Sequence, residues 1–276
     1  MFYFTALSIA GSDCSGGAGI QADIKTMSAL GVYAASVITY VTVQNTLGVE
    51  SLCPIDSYAI ERQIHAVMND IRPMAIKIGM MGNKDTVEAI VKSLSIYYHG
   101  NLVVDPVLVS TSGSVLLDND AIDIMCRRLL PMATVITPNI HEAEVLANMK
   151  IINKDDIKLA ARRILDYGCG AVLIKGGHIE GNNKCDILVE RKQNGYYEEH
   201  EYNSITVDSK NTHGTGCTLS SAIAAYLAQG MNLTHAVEEA KEYITMAIAE
   251  GADVCIGKGH GPLNHFFNPL IPQRYY

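Results

Sequence analysis

The chain reads as an α/β protein, a three-layer α/β/α arrangement around a mostly parallel sheet. Short, unbroken apolar runs alternate with helix-periodic segments almost from end to end, as strands covered on both faces require. Late in the chain two strand-like runs flank an Asn-Gly step, which adds an antiparallel edge hairpin. In order, Ala6-Leu7-Ser8-Ile9 forms the first strand and runs into a loop rich in Gly and Ser. Ile20, Ile24 and Met27 mark one face of the first helix, closed by Gly31. Ser36 to Val43 is β-branched and strand-like, and Ile60, Ile64, Val67 and Ile71 mark the next helix. Strand–helix pairs continue with Ala75–Ile78 and Val87/Ile90/Val91/Leu94, then Leu102–Val104 and Ile122/Leu129. Thr134–Ile136 is followed by a short helix near Glu142 and by a longer one carrying Ile157, Ala161, Ile164 and Leu165. Ala171–Ile174 is a further buried strand, and the hairpin pairs Cys185–Glu190 with Tyr196–Tyr202 across Gln193-Asn194-Gly195. Two helices, Gly216–Gln229 and Thr234–Ala249, precede an irregular tail. No linker, repeat or low-complexity tract interrupts this order, so a single domain over 1–276 is expected.

Composition narrows the function classes. With no Trp and only 4 Phe, the core must be filled by aliphatic side chains and Met. The 21 basic and 29 acidic side chains give a net charge of −8 without long runs, which excludes the basic stripe of a nucleic-acid binder. Seven scattered cysteines with no Cys-x-x-Cys pair suit neither a zinc site nor a disulfide scaffold. No apolar run approaches membrane-spanning length, and the expectation is a cytoplasmic protein without a membrane partner. His65, His99, His141, His200, His235, His260 and His265 show no ligand-like pairing and are expected at the surface.

In an open parallel sheet, ligands collect beyond the carboxyl ends of the strands. The polar outliers of this sequence fall there repeatedly. Gly11-Ser12-Asp13 follows the first strand, Gln44-Asn45 the second, and Lys77-Ile78-Gly79 ends another. Asp105-Pro106, then Thr137-Pro138-Asn139 with Glu142, then Lys175-Gly176-Gly177-His178 follow in turn. Gly17-Ala18-Gly19-Ile20-Gln21-Ala22 fits a dinucleotide fingerprint, but Gln44-Asn45 stands where that reading needs an acidic residue. Asp105 and Glu142 are hard oxygen donors suited to Mg2+; equally, Asp105 can cap a turn and Asn139 with Glu142 can form a capping box. Gln44 offers a donor beside an acceptor, the pattern that reads an amino group next to a ring nitrogen.

Asn211-Thr212-His213-Gly214-Thr215-Gly216-Cys217-Thr218 runs straight into a helix of small residues. A Gly-Thr-Gly turn at a helix start gathers unpaired N–H groups at the positive end of the dipole, an anion site made of main chain. Cys217 on the first turn is then either a thiol biased toward thiolate or a small buried apolar side chain.

Together these segments closely resemble the hydroxymethylpyrimidine/phosphomethylpyrimidine kinases of thiamin biosynthesis, a ribokinase-like family, over nearly the whole chain. The resemblance implies ATP- and Mg2+-dependent phosphorylation of 4-amino-5-hydroxymethyl-2-methylpyrimidine and then of its monophosphate, and a homodimer. It assigns Gln44 to the aminopyrimidine edge, with Gly11, Asp23 and Val107 lining that pocket. Asp105 and Glu142 would organise Mg2+, and Lys175 would meet the ATP phosphates with Asn139 and Asp105 alongside. Gly214, Thr215 and Gly216 would form the anion hole. Cys217 stands where sugar kinases of the wider superfamily place an Asp base, so it would accept the hydroxymethyl proton. Cys14, Ala34, Tyr40 and Leu108 depart from the usual residues, and Tyr40 bears on the shape of the strand leading to Gln44. The alternatives are a pyridoxal/pyridoxine kinase, which resembles the same family but for which an apolar residue is expected at position 44, and a non-catalytic pyrimidine-binding sensor.

Overall fold

Nine strands make one sheet in the computed structural model, which describes residues 1–97, 100–109, 116–176, 183–192, 195–272 and 274–275. The strands of this sheet are β2 (Thr5–Asp13), β3 (Tyr33–Asn45), β4 (Gly48–Pro54), β5 (Ala75–Ile78), β6 (Asn101–Val104), β7 (Val135–Ile136), β8 (Ala171–Ile174), β9 (Asn183–Arg191) and β10 (Tyr197–Ile205). Their order is β10-β9-β8-β7-β6-β5-β2-β3-β4. The six from β8 to β3 run parallel, whereas β9 and β10 at one edge and β4 at the other are antiparallel to their neighbours. The predicted late hairpin is present, with Gln193 and Asn194 of its turn outside the described residues. The second antiparallel edge corrects the expectation of one. Gly48–Pro54 is a mostly exposed edge strand, so burial never imprinted an apolar pattern on it.

The helices are α1 (Gly19–Ala29), α2 (Ser57–Asp70), α3 (Lys84–Tyr97), α4 (Asn119–Ile124), α5 (Ile140–Ala147), α6 (Lys154–Leu165), α7 (Thr215–Ala228) and α8 (Leu233–Ala249). Alternation along the strands sends side chains to two cores. Leu7, Ile9, Ile76 and Ile78 point to the layer of α2 to α6; Ala6, Ala75, Val103 and Leu173 point to the layer of α1, α7 and α8. Asparagine and aspartate set the helix starts: Asp56 caps α2, and Asn139/Glu142 and Asn153/Asp156 form capping boxes on α5 and α6. Every residue of α7 from Thr218 to Ala228 is buried. Its Ala and Ser residues let it lie close against β2, β5 and β6, so its N-terminus emerges at the middle of the sheet's carboxyl edge.

The tail is less irregular than the sequence indicates. Its end, β11 (Arg274–Tyr275), pairs with β1 (Phe2–Tyr3). Upstream, the backbone N–H groups of Lys258 and Gly259 donate to Thr46 Oγ1, and that of His260 donates to the Thr46 carbonyl, fastening the tail to the β3–β4 turn. Among the described residues no helix is long and apolar enough to cross a membrane.

Candidate active site

A cleft of about 640 Å3 lies over the carboxyl ends of the parallel strands, opposite the start of α7. Gly214 takes a left-handed φ of 89° and is the N-cap of α7. A side chain there would collide with the Gly17 carbonyl, so glycine is demanded twice, by conformation and by contact. The cap makes no side-chain hydrogen bond to the first turn; the Thr215 N–H donates to the Thr212 carbonyl at 3.3 Å, while Gly216 and Cys217, whose amides lie in that uncapped turn, line the cleft. Opposite them, Asp105 is buried just beyond β6 and Lys175 just beyond β8. Lys175 is anchored through its N–H to the Pro138 carbonyl at 2.8 Å, and its Nζ lies 3.0 Å from Asp105 Oδ1. Thr137 Oγ1 donates to the same oxygen at 3.2 Å, and Ser220 Oγ to Asp105 Oδ2 at 3.4 Å. A Cβ on Gly216 would sit 3.4 Å from both Asp105 Oδ2 and Lys175 Nζ, so the glycine keeps this space open to a ligand. Burial opposes the charge on Lys175, but Asp105 and Glu142 outweigh it and hold the ammonium above its usual value.

Of the two readings of Asn139 and Glu142, the structure shows the capping one. They form the capping box of α5, with Asn139 Oδ1 accepting from Glu142 N at 2.9 Å and Glu142 Oε2 accepting from Asn139 N at 2.8 Å. They also line the cleft. Burial is the main cause that lifts the Glu142 carboxyl to about 7; Lys175 pulls it down and Asp105 adds to the rise. Two buried hard-oxygen donors crowded in this way fit a divalent cation such as Mg2+, which relieves their repulsion.

At the other end of the cleft, the bulge where β3 pairs with β4 between Val43 and Gln44 turns the Gln44 side chain to the cavity. Its Nε2 position lies 3.2 Å from His213 Nε2, and that same His213 nitrogen lies 2.9 Å from Asp13 Oδ2. Burial raises the Asp13 carboxyl, but hydrogen bonds from His213, Ser15 and Ala18 overcome it and hold the group down at about 2. Gly11, Val107, Met80, Leu52 and Leu116 supply apolar walls. Behind them Tyr40 packs on Met80 and Leu116, and its hydroxyl accepts from Asn83 Nδ2 at 2.6 Å, so this departure from the usual residue repacks the wall from outside the cleft.

Gly11, Gln44, Asp105, Val107, Asn139, Glu142, Lys175, Gly214, Thr215, Gly216 and Cys217 therefore share one cavity. Asp23 does not. The pitch of α1 turns it to the sheet, where both its oxygens accept from Lys77 Nζ at 2.9 Å and where Ser8 and Ser221 also donate to it. Lys77, expected on the rim, is fully buried because it alternates with Ile76 and Ile78 and so points at α1 and α7. The thiolate expectation for Cys217 is also corrected. Burial pushes its thiol up to about 11; Lys77 and an amide lower it, but Asp23 and Asp105 add to the rise. His265, expected at the surface, is buried against Thr218, and burial lowers its pKa to about 4. His141, His235 and His260 are exposed, while His65 and His200 are half-buried; His99, Gly177 and His178 lie outside the described residues. Sequence reasoning missed His213 and the Thr46–tail contact; the only signal was the position of His213 beside Gly214.

A three-layer α/β/α fold with a glycine-capped helix start facing a Lys–Asp pair on strand ends defines a ribokinase-like kinase. Residues 13–264 match the phosphomethylpyrimidine kinase family, and the chain belongs to it. It is 44% identical to a hydroxymethylpyrimidine/phosphomethylpyrimidine kinase of Rhizobium meliloti, covering 95% of this chain and 96% of that one. The crystal structure of a phosphomethylpyrimidine kinase from Clostridium difficile superposes with a TM-score of 0.77 at 46% identity, over 88% of this chain and 99% of that one. A pyridoxal kinase from Staphylococcus aureus in complex with AMP-PCP superposes with a TM-score of 0.86 at 32% identity, over 96% and 94% of the two chains. The chain also spans about half (52%) of a bifunctional thiamine biosynthesis protein of Geobacter sulfurreducens, at 44% identity.

Proposed function

We propose that this chain is an ATP-dependent kinase that phosphorylates the hydroxymethyl group of 4-amino-5-hydroxymethyl-2-methylpyrimidine and then converts the monophosphate to the diphosphate. The single observation that carries this reading is the span of the cleft. An amide that can read an aminopyrimidine edge lies at one end, and an anion cradle with a Lys–Asp pair lies at the other.

Transfer of the γ-phosphoryl group needs positioning and charge neutralisation more than covalent help. The hydroxymethyl oxygen bonds to the γ-phosphorus as the bond to the bridging β,γ-oxygen breaks, and ADP leaves. The N–H groups of Gly216 and Cys217 and the Lys175 ammonium meet the equatorial oxygens as their charge spreads. Asp105 and Glu142 would hold Mg2+, which supplies charge neutralisation and alignment of the phosphates when bound. With a cation held there Asp105 would no longer raise Cys217, and Lys77 and the Gly19 N–H at the start of α1 would draw the thiol toward the thiolate that takes the hydroxyl proton. No covalent enzyme intermediate forms.

Gln44 favours the pyrimidine over B6 vitamers, and the higher identities to the curated pyrimidine kinases (41–44%) than to the pyridoxal kinase structures (30–34%) point the same way. The full reading is a single cytoplasmic kinase domain, active as a homodimer. A coupled ADP-release assay tests it with the pyrimidine, its monophosphate, pyridoxal and pyridoxine. Release with both pyrimidines is expected. Preference for B6 vitamers, or no release with any of the four, overturns the proposal.

A further inference from the structure

The contacts of Asp13 decide how the Gln44 amide must stand. Asp13 is 3% exposed, and its Oδ1 accepts from the Ser15 N–H at 2.8 Å and the Ser15 hydroxyl at 2.7 Å. Its Oδ2 accepts from the N–H groups of Gly17 at 3.2 Å and Ala18 at 2.8 Å. A carboxylate so surrounded only accepts, so His213 Nε2, 2.9 Å from Oδ2, must carry a hydrogen. The imidazole is held in place as well: its N–H backbone group donates to the Gly261 carbonyl, and only a glycine at position 17 leaves room for the ring. Two N–H donors do not face each other across the 3.2 Å between His213 Nε2 and the Gln44 amide. A half-turn of the amide, which leaves its shape unchanged, puts the Gln44 oxygen toward His213, where the one Nε2 hydrogen is shared between Asp13 Oδ2 at 2.9 Å and the amide oxygen at 3.2 Å, and removes the conflict.

We propose that Asp13 and His213 are positioning residues that lock the Gln44 amide in one sense and thereby make the cleft select an amino-bearing pyrimidine edge over its oxo counterpart. The inference rests on the pyrimidine kinase reading. With the oxygen pinned, its second lone pair accepts from the ring amino group while the amide N–H donates to the ring nitrogen. An oxo group beside a ring N–H presents the inverse pattern. It satisfies a pinned amide only with the ring turned over, which carries the hydroxymethyl arm away from Cys217 and Lys175. An unpinned amide rotates to suit either ligand, and the selection is lost.

The test compares kcat/KM for 4-amino-5-hydroxymethyl-2-methylpyrimidine with that for its 4-oxo analogue, in the wild-type chain, His213→Phe and Asp13→Asn. The wild type is expected to prefer the amino compound, and each variant to lose about tenfold or more of that preference. Asp13→Asn keeps size and one acceptor oxygen, so it provides a second route should Phe at position 213 disturb the loop. In a Gln44→Ala background, His213→Phe should leave the ratio unmoved, because the two act through one contact. General damage lowers both substrates together and keeps the ratio. An unchanged ratio in active variants overturns the inference while the kinase reading stands. A wild type inert toward both pyrimidines overturns the two together.

Discussion

Two lysine–aspartate pairs sit on opposite sides of the start of α7, and their chemistry is the same while their surroundings differ. Lys77 and Asp23 lie below it with both side chains at 0% exposure; Lys175 and Asp105 lie above it at 19% and 3%, open to the cleft. Asp23 is saturated by Lys77, Ser8 and Ser221, all from the protein. Asp105 Oδ2 and the Nζ of Lys175 instead border the space that Gly216 leaves open. Sealed, such a pair fixes the relation of β2, β5, α1 and α7 and biases Cys217; open, it offers charge to a ligand. Position along an alternating strand or a helical turn decides which, since residue type alone does not.

The largest expected effect breaks the sealed pair. Lys77→Met leaves a buried carboxylate uncompensated and should cost about 3–5 kcal/mol in denaturant unfolding. Adding Asp23→Leu should recover only part of that, because Ser8 and Ser221 lose their acceptor. Unfolding of Lys77→Met at the wild-type midpoint would put the two pairs in one class. Lys175→Met should do the opposite, unfolding near the wild-type midpoint but losing roughly 100- to 1000-fold in kcat, as when one donor to a developing oxyanion is removed. Between the pairs, Cys217→Ala should fold normally and lose about 100-fold in kcat, at the low end for a general base. Near-wild-type turnover would leave Cys217 a packing residue only.

The smallest effect concerns the pyrimidine end. Asp13 is held down from 3.8 to about 2, so its hydrogen bonds stabilise the fold fully above pH 3.8 and that contribution drains away as the pH falls toward 2. Thermal unfolding of Asp13→Asn should therefore lie below wild type at neutral pH, by about 2 kcal/mol at most, and converge with it near pH 2. Parallel curves from pH 6 to 2 would assign the loss to something other than this carboxylate.

The same contrast explains what could be read from the sequence. Lys175, Asp105, Asn139, Glu142 and the Gly214–Gly216 turn each follow a strand or open a helix, so local pattern placed them on one rim. His213 escaped because its partners Gln44 and Asp13 are 169 and 200 positions away, and no periodicity links them. Asp23 was assigned to the pocket by resemblance, whereas helical pitch turns it beneath the floor. For Cys217, the helix dipole is a local argument and favours thiolate; burial beside two carboxylates from α1 and the end of β6 overrides it. The β4 strand was invisible for a simpler reason, since an exposed edge needs no apolar alternation.

The central claim is that the open pair and the α7 cradle transfer a phosphoryl group to a ligand held by Gln44. The most direct measurement follows the γ-phosphate of ATP by 31P NMR during turnover with 4-amino-5-hydroxymethyl-2-methylpyrimidine. The account predicts a phosphomonoester resonance that gives way to the paired resonances of a diphosphate, while ADP accumulates. Accumulation of ADP with inorganic phosphate alone, and no pyrimidine-bound phosphorus, would contradict it.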